Sequence, residues 1–301
     1  MVITNKLINI FVKDFNIPIT VFDRNIFLEQ IKILNYSKEW NEYVHILENF
    51  ATEEDFFTYR NKLQDSVINY IKSLDSYKEN IELCNYEFYF LNERVNKDMH
   101  LPIKVKIEKN LYTEKNVGKR FISIDMKSAN FQVFQQTNAI YDISYESLLN
   151  KFDTLCYFHK SKNIRQIIFG NLNPKRTSSI QKQIINILLL KIINNNPNIT
   201  FDTIIVNNDE IILSYDSKLS FEFLEFSEVD FRIETFVLEK ILNKKNKMFY
   251  YKRYTDKKVL YTVPKNVYMQ AFKKLHEIPL TETDLEFLHE GSIVKFLEPQ
   301  F

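Results

Sequence analysis

Two short apolar segments in this chain each close on a carboxylate: Phe121-Ile-Ser-Ile-Asp125-Met-Lys-Ser-Ala-Asn130 and Ile204-Ile-Val-Asn-Asn-Asp209-Glu210-Ile-Ile-Leu213. Their crowded β-branched and aromatic residues read as buried strands. An ionised carboxylate on a buried strand is costly unless a cation pairs with it. Two such strands lying side by side bring acidic groups to one point, and that is how proteins hold paired magnesium ions. Asp125 and Asp209 are therefore the candidate pair.

With 301 residues and 45% hydrophobic content, the chain can bury a core in one or two domains. A net charge of +1 gives no global bias towards nucleic acid, so any such surface must be a local basic stripe. Two cysteines support neither a disulfide framework nor a thiolate metal site, and they suit a reducing compartment. The five histidines lack ligand spacing, which speaks against zinc. The start of the chain lacks the pattern of a signal peptide. The most apolar run, Ile184 to Ile193, is short and interrupted by Asn186 and Lys191. A soluble, cytoplasmic protein with no membrane partner is expected. Ile, Asn, Lys, Phe and Tyr are abundant, as an AT-rich genome would produce, so scattered lysines and aromatics carry less weight. The three glycines, Gly118, Gly170 and Gly291, carry more.

Periodicity divides the chain into three. Residues 1–102 read as a mostly helical, fingers-like region, with apolar residues three and four apart around Ile46 and Tyr70. Thr52 and Asp55 form a candidate cap for the helix through Leu74. The stretch Asn96 to Pro102 reads as a loop. Residues 103–218 alternate strand and helix patterns and hold both carboxylate segments. Residues 219–301 contain strand patterns at Phe231 to Leu238 and Met248 to Tyr254, then a helical stretch from Val267 to Leu275. The expected fold class is α+β, an antiparallel sheet backed by helices.

A family resemblance sharpens this reading. Ile124-Asp-Met-Lys-Ser-Ala-Asn-Phe-Gln132 resembles the first palm motif of reverse transcriptases. Asn207-Asn-Asp-Glu-Ile-Ile-Leu213 resembles their third, with Asn207 in place of its tyrosine and Glu210 in place of its second aspartate. Between them, Phe169-Gly-Asn-Leu-Asn-Pro174 followed by Gln181 resembles the phenylalanine-glycine segment of retroelement enzymes. Asp209-Glu210, and Arg165 four residues before Phe169, are also similar to features of family A DNA polymerases. The Asn-Asp-Glu run is similar to that of the tRNA-histidine guanylyltransferase family. What these share is a right-hand polymerase-type palm, and it implies a helical N-terminal region and a small thumb-like C-terminal region.

The resemblance implies a nucleotidyltransferase that extends a nucleic-acid 3′ end from nucleoside triphosphates, with two Mg2+ or Mn2+ ions. Asp125, Asp209 and Glu210 are the expected catalytic residues. Asp125, Asp209 and the backbone of Met126 are the expected metal ligands. Glu210 is the weaker candidate, because pleat alternation from Asp209 turns it to the other face unless turn geometry at Asn207-Asn208 intervenes. Nucleotide contacts are expected from Asn130 beneath the sugar, from Phe169 and Gly170 beside the base pair, and from Arg165, Lys175 and Arg176 on phosphates. Lys160, Lys162 and Lys182 surround the same segment. Lys252, Arg253 and Tyr254 resemble a strand that grips the primer, and they read equally as a charged edge strand. Two alternatives stand beside catalysis by copying. One is an inactive palm that binds nucleic acid, and the other is a template-independent enzyme acting on RNA ends.

Overall fold

The structure, a computed structural model, describes residues 1–83, 87–95, 106–141, 143–152 and 155–301. The expected loop from Asn96 to Pro102 and one of the two cysteines, Cys84, lie outside them.

Helices open the chain: α1 (Asn5–Asp14), α2 (Arg24–Ile33), α3 (Ser37–Leu47), α4 (Glu53–Ser73) and the single turn α5 (Asp75–Tyr77). Their starts follow from capping chemistry. Thr4 and Asp23 accept from backbone amides of the first turn, and Thr52 and Asp55 form the reciprocal capping box expected of them. A hairpin, β1 (Phe88–Phe90) and β2 (Glu93–Val95), was not legible within this helical region.

The middle of the chain runs β3 (Arg120–Met126), α6 (Ala129–Gln136), α7 (Tyr145–Asn150), α8 (Cys156–Lys160), α9 (Lys162–Gly170), α10 (Pro174–Asn195), β4 (Ile204–Val206) and β5 (Glu210–Ser214). It continues with β6 (Phe231–Leu242), β7 (Met248–Arg253), β8 (Lys258–Tyr261), α11 (Tyr268–Leu275) and a second hairpin, β9 (Glu286–His289) with β10 (Ser292–Lys295). Six strands form one antiparallel sheet in the order β4-β5-β3-β6-β7-β8. The sheet therefore crosses the boundary at 218/219, since β6 from the C-terminal part pairs along the whole of β3.

Strand alternation gives the sheet two unlike faces. Ile122, Ile124 and Met126 of β3 join Ile211 and Leu213 of β5 in the main core, which also takes in the apolar sides of α6, α9 and α10. Burying each such side chain contributes about 1.5–3 kcal/mol, and this fixes the register, because a slip of one residue would turn that face to water. The other face carries a smaller apolar cluster (Phe121, Ile205, Ile212, Phe236 and Leu238, closed by Leu111). Cross-strand register adds Ser123, Asp125, Glu210, Arg232 and Lys252 to that face. Behind the sheet, buried Asp14 of α1 receives Arg60 of α4 at 2.6 Å, Tyr157 of α8 at 2.8 Å and Asn163 of α9 at 3.3 Å. This network anchors α9 to the helical layer. Among the described residues, no helix is long and apolar enough to cross a membrane.

Candidate functional site

Asp125 stands near the end of β3, opposite Glu210 of β5 on one side and Arg232 of β6 on the other. Residues paired in this way project to the same face. Asp209 belongs to the three-residue connection Asn207-Asn208-Asp209 that joins β4 to β5. Its backbone carbonyl accepts from the Met126 amide at 2.8 Å, so the tip of the hairpin is tied to the end of β3. Asn208 at the same tip donates to Ser178 of α10 at 3.2 Å. Neither Asn207 nor Asn208 has a positive φ.

After β3 the chain turns sharply into α6. Ser128 sits at φ 50°, a left-handed conformation costing a non-glycine residue about 1–2 kcal/mol. Gln132 holds this turn in place. Its amide donates to the carbonyls of Lys127 and Asp230, and its side-chain oxygen accepts from the Asp230 amide at 2.7 Å. The turn places Asn130 in the first turn of α6, where Gln181 of α10 donates to its side-chain oxygen at 2.7 Å.

These elements enclose a cavity of about 470 Å³. Two carboxylates, Asp125 and Asp209, face it together with four cations: Lys127, Lys162, Arg165 and Arg232. Met126, Asn130 and Gln181 also line it. Lys162 and Arg165 lie one turn apart on α9, and Arg165 rests over the ring of Tyr145 at 5.8 Å. Lys127 is paired with Asp230 at 2.9 Å.

Burial pushes the Asp125 carboxyl above its ordinary range; Arg232 opposes this, while Glu210 and Asp209 add to it. Burial also raises Asp209. Glu210 adds to that rise, and the residue's own backbone amide and Lys162 oppose it. A cation bound at Asp125 would offset the repulsion that Glu210 and Asp209 exert on it. Carboxylate, carbonyl and polyphosphate oxygens form a hard donor set, and this suits Mg2+, which is commonly held by one or two carboxylates plus substrate phosphates. Among the described residues, no group of three or more His, Cys, Asp and Glu side chains is gathered to hold a metal without such help.

The expected site residues are distributed unevenly. Asp125, Met126, Asn130, Arg165 and Asp209 meet in the cavity. Glu210 stands on the same sheet face as Asp125, contrary to the pleat argument, because Asp209 belongs to the turn and alternation from it does not apply. The Glu210 carboxylate is occupied behind the cavity: Ser123 donates to it at 2.6 Å, Asn207 at 3.1 Å, and Lys252 lies 3.6 Å away. Phe169 is fully buried among Phe131, Phe134 and Tyr145. Gly170 ends α9 with open space where a Cβ would stand, so no close backbone approach requires it. Arg176 donates to the Ile81 carbonyl, and neither it nor Lys175 lines the cavity.

The expected primer-gripping strand also divides. Lys252 is buried beneath the rings of Phe236 and Tyr261, at 4.5 and 5.0 Å. Arg253 projects to the opposite face and pairs with Glu239 at 3.0 Å, and Tyr254 packs on Phe236. β7 lies between β6 and β8 and so is not an edge. Sequence reasoning missed Lys127 and Arg232. The only local signal for Arg232 was an arginine in a chain that otherwise prefers lysine.

No family model, no curated protein and no solved structure matches this chain.

Proposed function

We propose that the chain is a palm-type nucleotidyltransferase that adds nucleotides from nucleoside triphosphates to a nucleic-acid 3′ end, assisted by two divalent cations. One observation carries the proposal: two carboxylates with raised pKa share a cavity with a cluster of cations at one end of an antiparallel sheet. Sheet order supports it, because β4-β5-β3-β6 with helices between β3 and β4 puts the two carboxylate-bearing segments side by side.

In this reading Asp125 and Asp209 hold the cations, with the Met126 backbone beside them. Bound there, the ions supply charge neutralisation at the attacking oxygen, the α-phosphate and the departing pyrophosphate. Lys162 and Arg165 receive the polyphosphate, whose oxygens match a guanidinium fork. Asn130, fixed by Gln181, offers its amide N–H groups to the sugar. Glu210 acts from behind: its negative charge raises both aspartates while its own oxygens stay with Ser123, Asn207 and Lys252.

Asp125→Ala and Asp209→Ala are each expected to abolish metal-dependent nucleotide incorporation with the circular dichroism spectrum unchanged. Full incorporation by either variant removes the proposal. A second reading, an inert palm that binds nucleic acid, draws on the ion pair that occupies Asp125. Measuring nucleic-acid affinity beside incorporation separates the two, since the inert protein would bind and never extend.

A further inference from the structure

Arg232 holds one of the two carboxylate oxygens of Asp125, the residue at which the proposed cation would bind. Its Nη2 lies 2.5 Å from Asp125 Oδ2, and its Nε lies 3.3 Å from Glu234. Register sets this pair, since Arg232 and Asp125 are direct cross-strand partners. The Arg232 side chain is 55% exposed and Glu234 is also served by Lys257 at 3.1 Å, so when the guanidinium turns away Glu234 keeps a partner, while the less exposed Asp125 needs another cation in its place. The cavity into which it would turn already contains Lys162 and Arg165.

From this we infer that Arg232 couples divalent-cation binding to polyphosphate binding. The inference rests on the proposed cation site at Asp125 and Asp209. Magnesium–oxygen contacts are about 2.0–2.1 Å, so a cation on Asp125 Oδ2 and a guanidinium nitrogen at hydrogen-bond distance compete for one face of the carboxylate. Without polyphosphate, a cation must break the Arg232 pair with no compensating contact and binds weakly. When a polyphosphate enters, the released guanidinium meets phosphate oxygens suited to its fork, and the lost pair is replaced. Such coupling is reciprocal: each ligand raises affinity for the other by the same factor. Arg232 is thus a positioning residue that keeps the carboxylates from loading a cation until the polyphosphate arrives.

The test measures free Mn2+ by electron paramagnetic resonance during titration of the full chain, with and without inorganic tripolyphosphate. Wild type, Arg232→Gln, Arg232→Lys and Asp209→Asn are compared, with Mn2+ binding to tripolyphosphate alone subtracted. In wild type, tripolyphosphate should tighten Mn2+ binding about tenfold, within the ordinary range for coupled sites. Arg232→Gln should bind Mn2+ more tightly than wild type without tripolyphosphate, by up to about tenfold, and gain less than wild type when it is added, the remaining gain coming from the phosphate oxygens themselves. Arg232→Lys should fall between. A purely structural role would weaken both ligands together, so opposite movement of the two affinities identifies the coupling. Equal Mn2+ affinity in wild type and Arg232→Gln, with Asp209→Asn impaired, overturns the role of Arg232 and leaves the cation site standing. No protein-bound Mn2+ in wild type or either Arg232 variant, with or without tripolyphosphate, overturns both.

Discussion

Glu210 is the residue whose role changes most between sequence and structure, and Glu210→Gln tests the new role. The Lys252 side chain is 5% exposed, and burial pulls its amine below the ordinary lysine range while Glu210 pulls it back up. Removing one partner of a buried ion pair costs about 3–5 kcal/mol. Two features reduce that figure here: the 3.6 Å separation is long, and the Glu210 side chain is 20% exposed. The rings of Phe236 and Tyr261 also keep stabilising the ammonium, by about 0.5–2 kcal/mol. Glu210→Gln should therefore cost about 2 kcal/mol. Glutamine still accepts from Ser123, and exposed Asn207 can turn away, so charge is the main quantity changed. Combining it with Lys252→Met should recover more than half of the loss, because an apolar side chain needs no counter-charge. Urea unfolding of wild type, both single variants and the double variant measures the coupling. The loss should also shrink as pH rises through the depressed pKa of Lys252, since a neutral amine no longer needs Glu210. A Glu210→Gln protein within 0.5 kcal/mol of wild type, a threshold at the scale of ordinary surface substitutions, would refute the reasoning.

Three further outcomes are expected. Asp209 has a raised pKa when folded, so its ionisation opposes folding above the ordinary aspartate range; Asp209→Asn should raise stability at pH 7 in chelator by up to about 1 kcal/mol and lose that gain below about pH 4, in thermal unfolding across pH. Arg60→Ala leaves Asp14 buried without its cation and should cost about 3–5 kcal/mol by urea unfolding, whereas a loss under 1 kcal/mol would show that Tyr157 and Asn163 suffice. Asn130→Tyr fills the space beside Gln181 and should shift incorporation from ribonucleotides towards deoxyribonucleotides. The lost hydrogen bond accounts for only about 0.5–1.5 kcal/mol and sterics for the remainder; an unchanged ratio of incorporation efficiencies places the sugar elsewhere.

Locally encoded features were legible from sequence. The strand ending in Asp125, the hairpin carrying Asp209, the Thr52 cap and the helix after Val267 all follow from short-range patterns. Most short strands were not: β1, β2, β8, β9 and β10 have four residues or fewer, too short for alternation to register, whereas three-residue β4 was legible only as part of the apolar run that carries Asp209. Within the site, Arg165 was separable from Arg176 only by tertiary packing. One faces the cavity from α9 while the other reaches the Ile81 carbonyl from α10. Phe169 follows an apolar stripe that could equally serve a ligand or the core, and the core takes it. Arg232 escaped because its proximity to Asp125 depends on pairing between distant strands, which no local pattern encodes.

The central claim is that Asp125 and Asp209 together hold divalent cations and a nucleoside triphosphate. Equilibrium dialysis of wild type and the Asp125→Asn/Asp209→Asn double variant against a labelled nucleoside triphosphate, with Mg2+ or with chelator, tests it most directly. Wild type should retain the nucleotide strongly only with Mg2+, and the double variant should show no difference between the two conditions. Equal Mg2+-dependent retention by both proteins would contradict the claim.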